Sequence, residues 1–138
     1  MLARVSDLMV PGDRCPVVAA TVALRDAIYV LSSMRLGAVF VTDAEGVLAG
    51  IVTDGDLRRG LEHASSDLDA PVDRIMSRDP KTVVAEARAE EAMRIMETYN
   101  ITVLPVLDEA GRPISAVHLH DLVKAGLGIR SHQKESTE

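Results

Sequence analysis

G-I-V-T-D-G-D-L at residues 50–57 returns as S-A-V-H-L-H-D-L at residues 115–122. In both stretches an apolar run ends in a short polar turn, and an Asp-Leu pair follows at the same distance. The same offset of 65 positions relates V-F-V-T-D-A-E-G (39–46) to L-P-V-L-D-E-A-G (104–111). Because this register continues without a gap from residue 17 onward, the chain is predicted to contain two copies of one structural unit.

Each copy begins with a short motif and a helical pattern. V-S-D-L-M (5–9) recurs as V-D-R-I-M (72–76). Residues 21–34 align with residues 86–99, and in both segments apolar residues recur at i, i+3, i+4 and i+7. This spacing predicts an amphipathic helix with one buried stripe in each copy. Thr21 is the predicted N-cap of the first helix.

Two strand-like runs follow the helix in each copy, at 38–42 and 47–52 and again at 102–107 and 113–118. The residues between the two runs begin with Asp and end with Gly, which is typical of a turn and predicts a hairpin. A short helix is predicted to close each copy, over 54–62 and 119–126. Because Pro105 cannot donate a ladder hydrogen bond, its strand is predicted to lie at an edge or to be bulged.

The repeat also predicts how the copies associate. One copy of about 60 residues buries only roughly 60% of its unfolded surface and is marginal alone. Two copies that pack their sheets together remove that weakness. The predicted fold class is therefore α+β, with two small sheets, each flanked by two helices, related by pseudo-twofold symmetry. The predicted units are 4–66 and 67–127, joined through 67–71, and the polar residues 128–138 are expected to form a frayed tail.

The composition restricts the classes of partner. The chain has 138 residues, a net charge of −6 and an aromatic share of 2%. So few rings leave little surface for stacking bases, and the net charge opposes broad contact with nucleic acid or an anionic membrane. The apolar runs predict neither a membrane span nor a signal peptide. The single Cys15 precludes an internal disulfide, which suits the reducing cytoplasm. We therefore expect a cytoplasmic protein, and the charge and composition predict neither nucleic-acid nor membrane partners.

These motifs together resemble a CBS domain pair, a regulatory module. The most specific part is G-I-V-T-D-G-D-L (50–57), which is similar to the Gly-apolar-apolar-Thr/Ser-x-x-Asp signature of that family. V-S-D-L-M (5–9), V-D-R-I-M (72–76) and L-P-V-L-D (104–108) support it. The resemblance covers residues 4–127 and implies a module that binds a nucleotide in the cleft between its repeats and associates as a homodimer.

A closer resemblance is to the C-terminal half of bacterial arabinose 5-phosphate isomerases. It is carried by R-V-S-D-L-M (4–9), T-D-G-D-L-R-R (53–59) and H-L-H-D-L-V-K-A-G (118–126). Those enzymes carry an N-terminal sugar isomerase domain ahead of the CBS pair. The resemblance therefore implies that this chain is a regulatory piece and not itself an enzyme, with the isomerase domain of the same protein as its partner. It also implies a place in the synthesis of Kdo, the sugar acid of lipopolysaccharide or capsule.

The polar turn of the first copy has two interpretations. As a capping box, Thr53 caps the following helix and Asp56 reaches back to the Thr53 amide. As a ligand site, the free amides and the Thr53 hydroxyl bind a phosphate, and the Asp56 carboxylate accepts both hydroxyls of a ribose. The resemblance favours the second interpretation and implies AMP, ADP or ATP as the regulatory ligand. CMP-activated Kdo is the alternative, because an end product suits a feedback signal.

The second copy departs from the signature at one position. His118 replaces the Thr, while Asp121 keeps the acidic position. A neutral His donates one hydrogen bond and a protonated one attracts phosphate, so this site is either unused or shaped for another ligand. Arg58 and Arg59 follow the first acidic turn, and one of them is expected to contact phosphate through its fork of donors. Solvated helix surface is the alternative for both arginines.

Two rival functions stand beside nucleotide sensing. A purely structural pair would dimerise and help to assemble the isomerase, with the acidic turns acting only as caps. A stand-alone enzyme or metal protein is disfavoured, because no nucleophile has an evident base and His118 and His120 lack a clear third ligand. No catalytic residue, metal ligand or required cofactor is therefore assigned. The predicted binding residues are Thr53, Asp56, Arg58, His118 and Asp121.

Overall fold

The computed structural model describes residues 3–63 and 67–127; the expected tail at 128–138 and the end of the first predicted unit at 64–66 lie outside the described residues. The elements up to the middle of the chain are α1 (Val5–Leu8), β1 (Val17–Ala19), α2 (Leu24–Met34), β2 (Ala38–Thr42), β3 (Leu48–Thr53) and α3 (Asp54–His63). The later elements are β4 (Ser77–Arg78), β5 (Val83–Val84), α4 (Ala89–Tyr99), β6 (Val103–Leu107), β7 (Pro113–His118) and α5 (Leu119–Lys124).

Both copies have the same order of strand, helix and hairpin. The first sheet has the order β1-β2-β3-β4, and the second has the order β5-β6-β7. In each sheet the first strand runs parallel to the second, and the hairpin that follows is antiparallel. Ala38 lies opposite Thr53 and Val103 lies opposite His118, so the hairpin registers obey the offset seen in the sequence. The predicted α+β repeat with one hairpin in each copy is confirmed.

The leading segments of the two copies are exchanged. Val5 in α1 is fully buried in the core of the second copy, and its N–H donates to Ala87 O at 2.9 Å. Val72 is fully buried in the core of the first copy, and its N–H donates to Val22 O at 2.8 Å. β4 then continues from Val72 and joins the first sheet beside β3. Each copy is therefore completed by a segment from the other half of the chain.

The start of α2 differs from the prediction. The helix begins at Leu24 without a side-chain cap, and Thr21 lies outside it. Leu24 N–H donates to Ala70 O at 2.8 Å, and Arg25 N–H donates to Leu68 O at 3.0 Å. The prediction of Thr21 as N-cap is wrong because carbonyls from the join between the copies satisfy the free amides of the first turn.

Pro105 also lies in an unexpected place. Its strand, β6, is the central strand of the second sheet, so the predicted edge position is wrong. A register shift follows directly after Val106, but the first copy has the same shift without a proline. At the equivalent position of the first copy, Phe40 N–H donates to Pro16 O at 2.7 Å. Pro105 has no N–H for such a bond, and the neighbouring β5 has two residues where β1 has three.

The two sheets pack on each other through a shared apolar core. Its buried residues come from both copies and are Val10, Leu36, Ala38, Phe40, Val103 and Ala116. Two backbone carbonyls also link the hairpin turns, because Leu48 N–H donates to Gly111 O at 3.0 Å and Arg112 Nε donates to Glu45 O at 2.9 Å. The predicted packing of sheet on sheet is confirmed. Among the described residues, no helix has the length and apolar character needed to cross a bilayer.

Candidate functional site

A cleft of about 580 Å³ opens between the copies, lined by β3, β4 and the start of α3 together with the start of β6. Its aliphatic lining residues are Ile51, Pro80, Ile101 and Val103. Its charged lining residues are Asp54, Asp56, Asp79, Arg59, Arg78 and Lys81. The lining also includes Thr53 and Ser77. This mixture suits a ligand that has an apolar part and several hydrogen-bonding groups.

Thr53 and Asp56 form the predicted capping box at the start of α3. Asp56 Oδ2 accepts from Thr53 N–H at 3.0 Å and from the Thr53 hydroxyl at 3.1 Å. In return, Asp56 N–H donates to Thr53 Oγ1 at 3.2 Å. These reciprocal bonds fix both side chains at the wall of the cleft.

The other oxygen of Asp56 is bound by two further side chains. Asp56 Oδ1 accepts from Arg59 Nη2 at 2.6 Å and from Ser77 Oγ at 2.8 Å. The Asp56 side chain is 7% exposed, whereas that of Arg59 is 65% exposed. Because Ser77 belongs to β4, this carboxylate connects the first helix turn of α3 to the exchanged strand.

The structure corrects the arginine of the predicted site. Arg59, not Arg58, lines the cleft and pairs with Asp56, while Arg58 is exposed on α3 outside the lining. On a helix the residue at i+3 lies on the same face as residue i, and the residue at i+2 does not. Helical spacing therefore identifies Arg59, and not Arg58, as the arginine that is able to pair with Asp56.

The turn of the second copy is built differently. His118 is the N-cap of α5, and its Nδ1 accepts from His120 N–H at 3.0 Å. Burial lowers the pKa of His118 below its ordinary value, Asp121 opposes that shift, and His120 adds to it. Because a neutral ring is needed to accept the capping bond, the idea of a protonated His118 that attracts phosphate is disfavoured.

Asp121 is half-buried, as is His118, and neither of them lines the cleft that contains Thr53 and Asp56. Within residues 3–63 and 67–127, no donor is bonded to the Asp121 carboxylate, in contrast to Asp56. The structure thus brings together two of the five predicted residues. A ligand at His118 and Asp121 stays a prediction.

Most residues of the cleft were not predicted from the sequence, and three of them carry polar groups that matter for a ligand. They are Ser77, Arg78 and Lys81, of which Lys81 places its Nζ 4.2 Å from the centre of the Tyr99 ring. The offset of 67 positions between the motifs 5–9 and 72–76 aligns Ser77 with Val10, so comparison of the copies gives no signal for a hydroxyl there. The contact exists only because β4 crosses to the first sheet.

Two further features bear on catalysis and metal binding. Burial raises the pKa of the Cys15 thiol to about 11, so the thiol is protonated at neutral pH and a poor nucleophile. Across 3–63 and 67–127, no three His, Cys, Asp or Glu side chains are grouped so as to hold a metal ion.

The comparisons with known proteins agree with the geometry. The model of the CBS domain family matches residues 5–63 and 72–128. Arabinose 5-phosphate isomerase KdsD of Pseudomonas aeruginosa is 40% identical over 127 residues, which are 92% of this chain and 39% of that protein. Arabinose 5-phosphate isomerase GutQ of Escherichia coli is 39% identical over 127 residues, with the same two shares. The chain therefore spans 39% of the length of these curated relatives.

Among solved structures, CBSX2 in complex with AMP is similar over nearly its whole length. The TM-score is 0.76 at 27% identity, and the match covers 92% of this chain and 98% of that one. The pair of small sheets flanked by helices is thus shared with a protein whose structure contains AMP.

Proposed function

The chain belongs to the CBS domain family, and from that premise we propose that its cleft is a regulatory site for an adenine nucleotide. The observation that carries the proposal is Asp56, a nearly buried carboxylate held at the wall of a cleft between the two copies. A carboxylate in such a place accepts hydrogen bonds from the hydroxyls of a ribose. The AMP complex of the similar CBSX2 supports the choice of ligand.

In this proposal the ribose, the phosphate and the base of the ligand bind different residues of the cleft. A ribose hydroxyl binds Asp56 Oδ1, and the phosphate lies near the basic residues of the cleft, Arg59, Arg78 and Lys81. The base packs against Ile51 and Val103, because the lining offers aliphatic side chains instead of rings. Burial of a base against aliphatic carbon is favourable without stacking.

We further propose that the module regulates an arabinose 5-phosphate isomerase. The support is the similarity to KdsD and GutQ, of which this chain matches 39%. The remaining part of such a protein would supply the isomerase domain, and the assembly would be a cytoplasmic homodimer of CBS pairs that serves Kdo synthesis. Nucleotide binding would bias the isomerase through a coupling free energy of typically about 1–3 kcal/mol.

One observation favours the structural alternative. The Asp56 carboxylate already accepts four hydrogen bonds from protein groups, which belong to Thr53, Arg59 and Ser77. A carboxylate with this set of partners is sufficient to cap α3 and to hold β4 in place. The structural alternative is a pair that assembles the protein and binds no ligand.

Thermal unfolding with AMP, ADP, ATP, CMP and CMP-Kdo separates the two functions. A ligand at 100 times its Kd is expected to add about 2.7 kcal/mol of stability, which raises the Tm by several degrees. Asp56→Ala is expected to lower the Tm without ligand and to remove the ligand-induced rise. Asp121→Ala is the matched variant of the other copy, and it shows which copy binds the nucleotide. If all five compounds leave the wild-type Tm unchanged, nucleotide sensing is rejected and the structural function stands.

A further inference from the structure

The Asp56 carboxylate is saturated with donors. A carboxylate offers about four acceptor positions. Asp56 uses two at Oδ2 for Thr53 and two at Oδ1 for Arg59 and Ser77. A ribose that binds this carboxylate must therefore displace a protein donor.

Arg59 is the donor that is able to leave. The bonds from Thr53 belong to the capping box, and their loss would unwind the first turn of α3. Ser77 is held in β4, where it pairs with Ile51 of β3 in the ladder. The Arg59 side chain is 65% exposed, so its guanidinium moves into solvent without repacking the core.

The charges of the cleft give this movement a consequence. Apart from the Arg59–Asp56 pair, the charged lining consists of two acids and two bases, namely Asp54, Asp79, Arg78 and Lys81. These four charges balance, so a phosphate meets little net attraction while Arg59 is bound to Asp56. Release of Arg59 leaves the net charge of the lining unchanged but makes a guanidinium available to pair directly with a phosphate.

Building on the proposed nucleotide site, we infer that Arg59 makes the cleft select phosphorylated nucleosides over unphosphorylated ones. One ribose hydroxyl takes the place of its guanidinium on Asp56 Oδ1, and the guanidinium pairs with the phosphate instead. Arg59 then exchanges one anionic partner for another, and its fork of donors fits phosphate oxygens bidentately. A nucleoside without phosphate removes Arg59 from Asp56 and offers nothing in return, so it binds weakly.

Calorimetric titration with AMP and adenosine tests the inference on the full chain. Wild type is expected to bind AMP at least ~10-fold more tightly than adenosine, the scale of a charge-assisted pair. Arg59→Gln is expected to weaken AMP, to bind adenosine as well as wild type or better, and to reduce the preference to less than ~3-fold. Because Arg59 is largely exposed, this variant is expected to fold, which circular dichroism checks.

Two controls accompany it. Arg58→Gln removes the same charge from the adjacent exposed position and is expected to keep the wild-type preference for AMP. Ser77→Ala removes the other donor on Oδ1 and is expected to change both affinities by the same factor, because a hydroxyl has no charge to transfer. Arg58→Gln shows the effect of losing a positive charge alone, and Ser77→Ala shows the effect of freeing one acceptor position of Asp56 alone. Only Arg59→Gln removes the side chain that is proposed to move from Asp56 to the phosphate.

The outcomes also separate this inference from the function on which it rests. If wild type binds adenosine as tightly as AMP, or if Arg59→Gln changes both affinities equally, the inference is overturned while nucleotide sensing stands. If neither compound binds and no other nucleotide shifts the Tm, nucleotide sensing and the inference are both overturned.

Discussion

At the scale of single residues, Gly50 determines how closely β4 approaches β3. A Cβ at this position would lie 2.6 Å from Met76 Sδ and 2.8 Å from Ser77 O, distances that folded proteins do not tolerate. The second copy has Ser115 here, and its hydroxyl donates to Val10 O instead. A glycine in the first copy therefore lets Ser77 reach Asp56.

Gly50→Ala is expected to lower the free energy of unfolding by about 1–3 kcal/mol, because the added methyl group overpacks the contact with Met76 and the β4 backbone. Urea denaturation measures the loss. Gly55→Ala is the matched control: its Cβ would be 3.4 Å from the flexible tip of Arg59, and alanine favours a helix by up to ~1 kcal/mol. Equal stability of the Gly50→Ala variant and wild type would contradict the close-approach argument.

The sequence predicts local contacts at this scale and misses distant ones. The capping box joins Thr53 to Asp56, three positions apart, and its residue types are sufficient to predict it. Arg59 was also identifiable from the sequence, because of the two arginines only the one at i+3 shares the helix face of Asp56. Ser77 was not, since its bond to Asp56 spans 21 positions and depends on the strand exchange.

At the scale of elements, α5 depends on an N-cap that titrates. His118 accepts the His120 N–H through Nδ1 only when the ring is neutral, and its pKa is below the ordinary value of 6.5 because of burial, with Asp121 opposing and His120 reinforcing the shift. A folded-state pKa below the unfolded one means that protonation favours the unfolded chain. The stabilisation is therefore complete above about pH 6.5 and is lost as the pH falls through the folded-state pKa.

His118→Asn is expected to reduce this pH dependence, because asparagine caps a helix and does not titrate. The free energy of unfolding is measured by urea denaturation at about pH 8 and about pH 5, on either side of the histidine range. Wild type should lose more stability between the two than His118→Asn does. Parallel losses in both proteins would show that groups other than His118 govern the acid sensitivity.

Helix starts show where element prediction fails. The apolar stripes of α2 and α4 were predicted from spacing, and both helices end in the left-handed conformation, at Arg35 and Asn100. Their first turns have no side-chain cap: Ala70 O accepts from Leu24 N–H, and Ala3 O accepts from Ala89 N–H. Carbonyls from distant segments leave no pattern in the sequence near the helix, so the prediction of Thr21 as the N-cap of α2 was wrong.

At the scale of the whole molecule, the constant offset predicted two equivalent units and their packing, but not the exchange. The motifs at 5–9 and 72–76 look the same whichever copy receives them. Only the folded chain shows Val5 in the second core and Val72 in the first. Sequence similarity between copies identifies equivalent positions and says nothing about which copy a segment contacts.

The exchange makes a directional prediction about local stability. Val5→Ala removes buried methyl groups from the second core and is expected to cost about 2 kcal/mol. Amide hydrogen exchange should accelerate mainly in β6 and β7. Val72→Ala is the mirror control, with acceleration expected mainly in β2 and β3. Acceleration of the first sheet by Val5→Ala, with the second unchanged, would contradict the assignment.

The exchanged segments give the molecule the topology of a domain-swapped homodimer fused into one polypeptide. Two single-copy chains that traded their leading segments would make the same contacts between segment and core. A proteolytic nick near that join leaves each half holding a strand or helix of the other. The covalent link is therefore not what holds the two cores together, although its carbonyls at Leu68 and Ala70 still bind the first turn of α2.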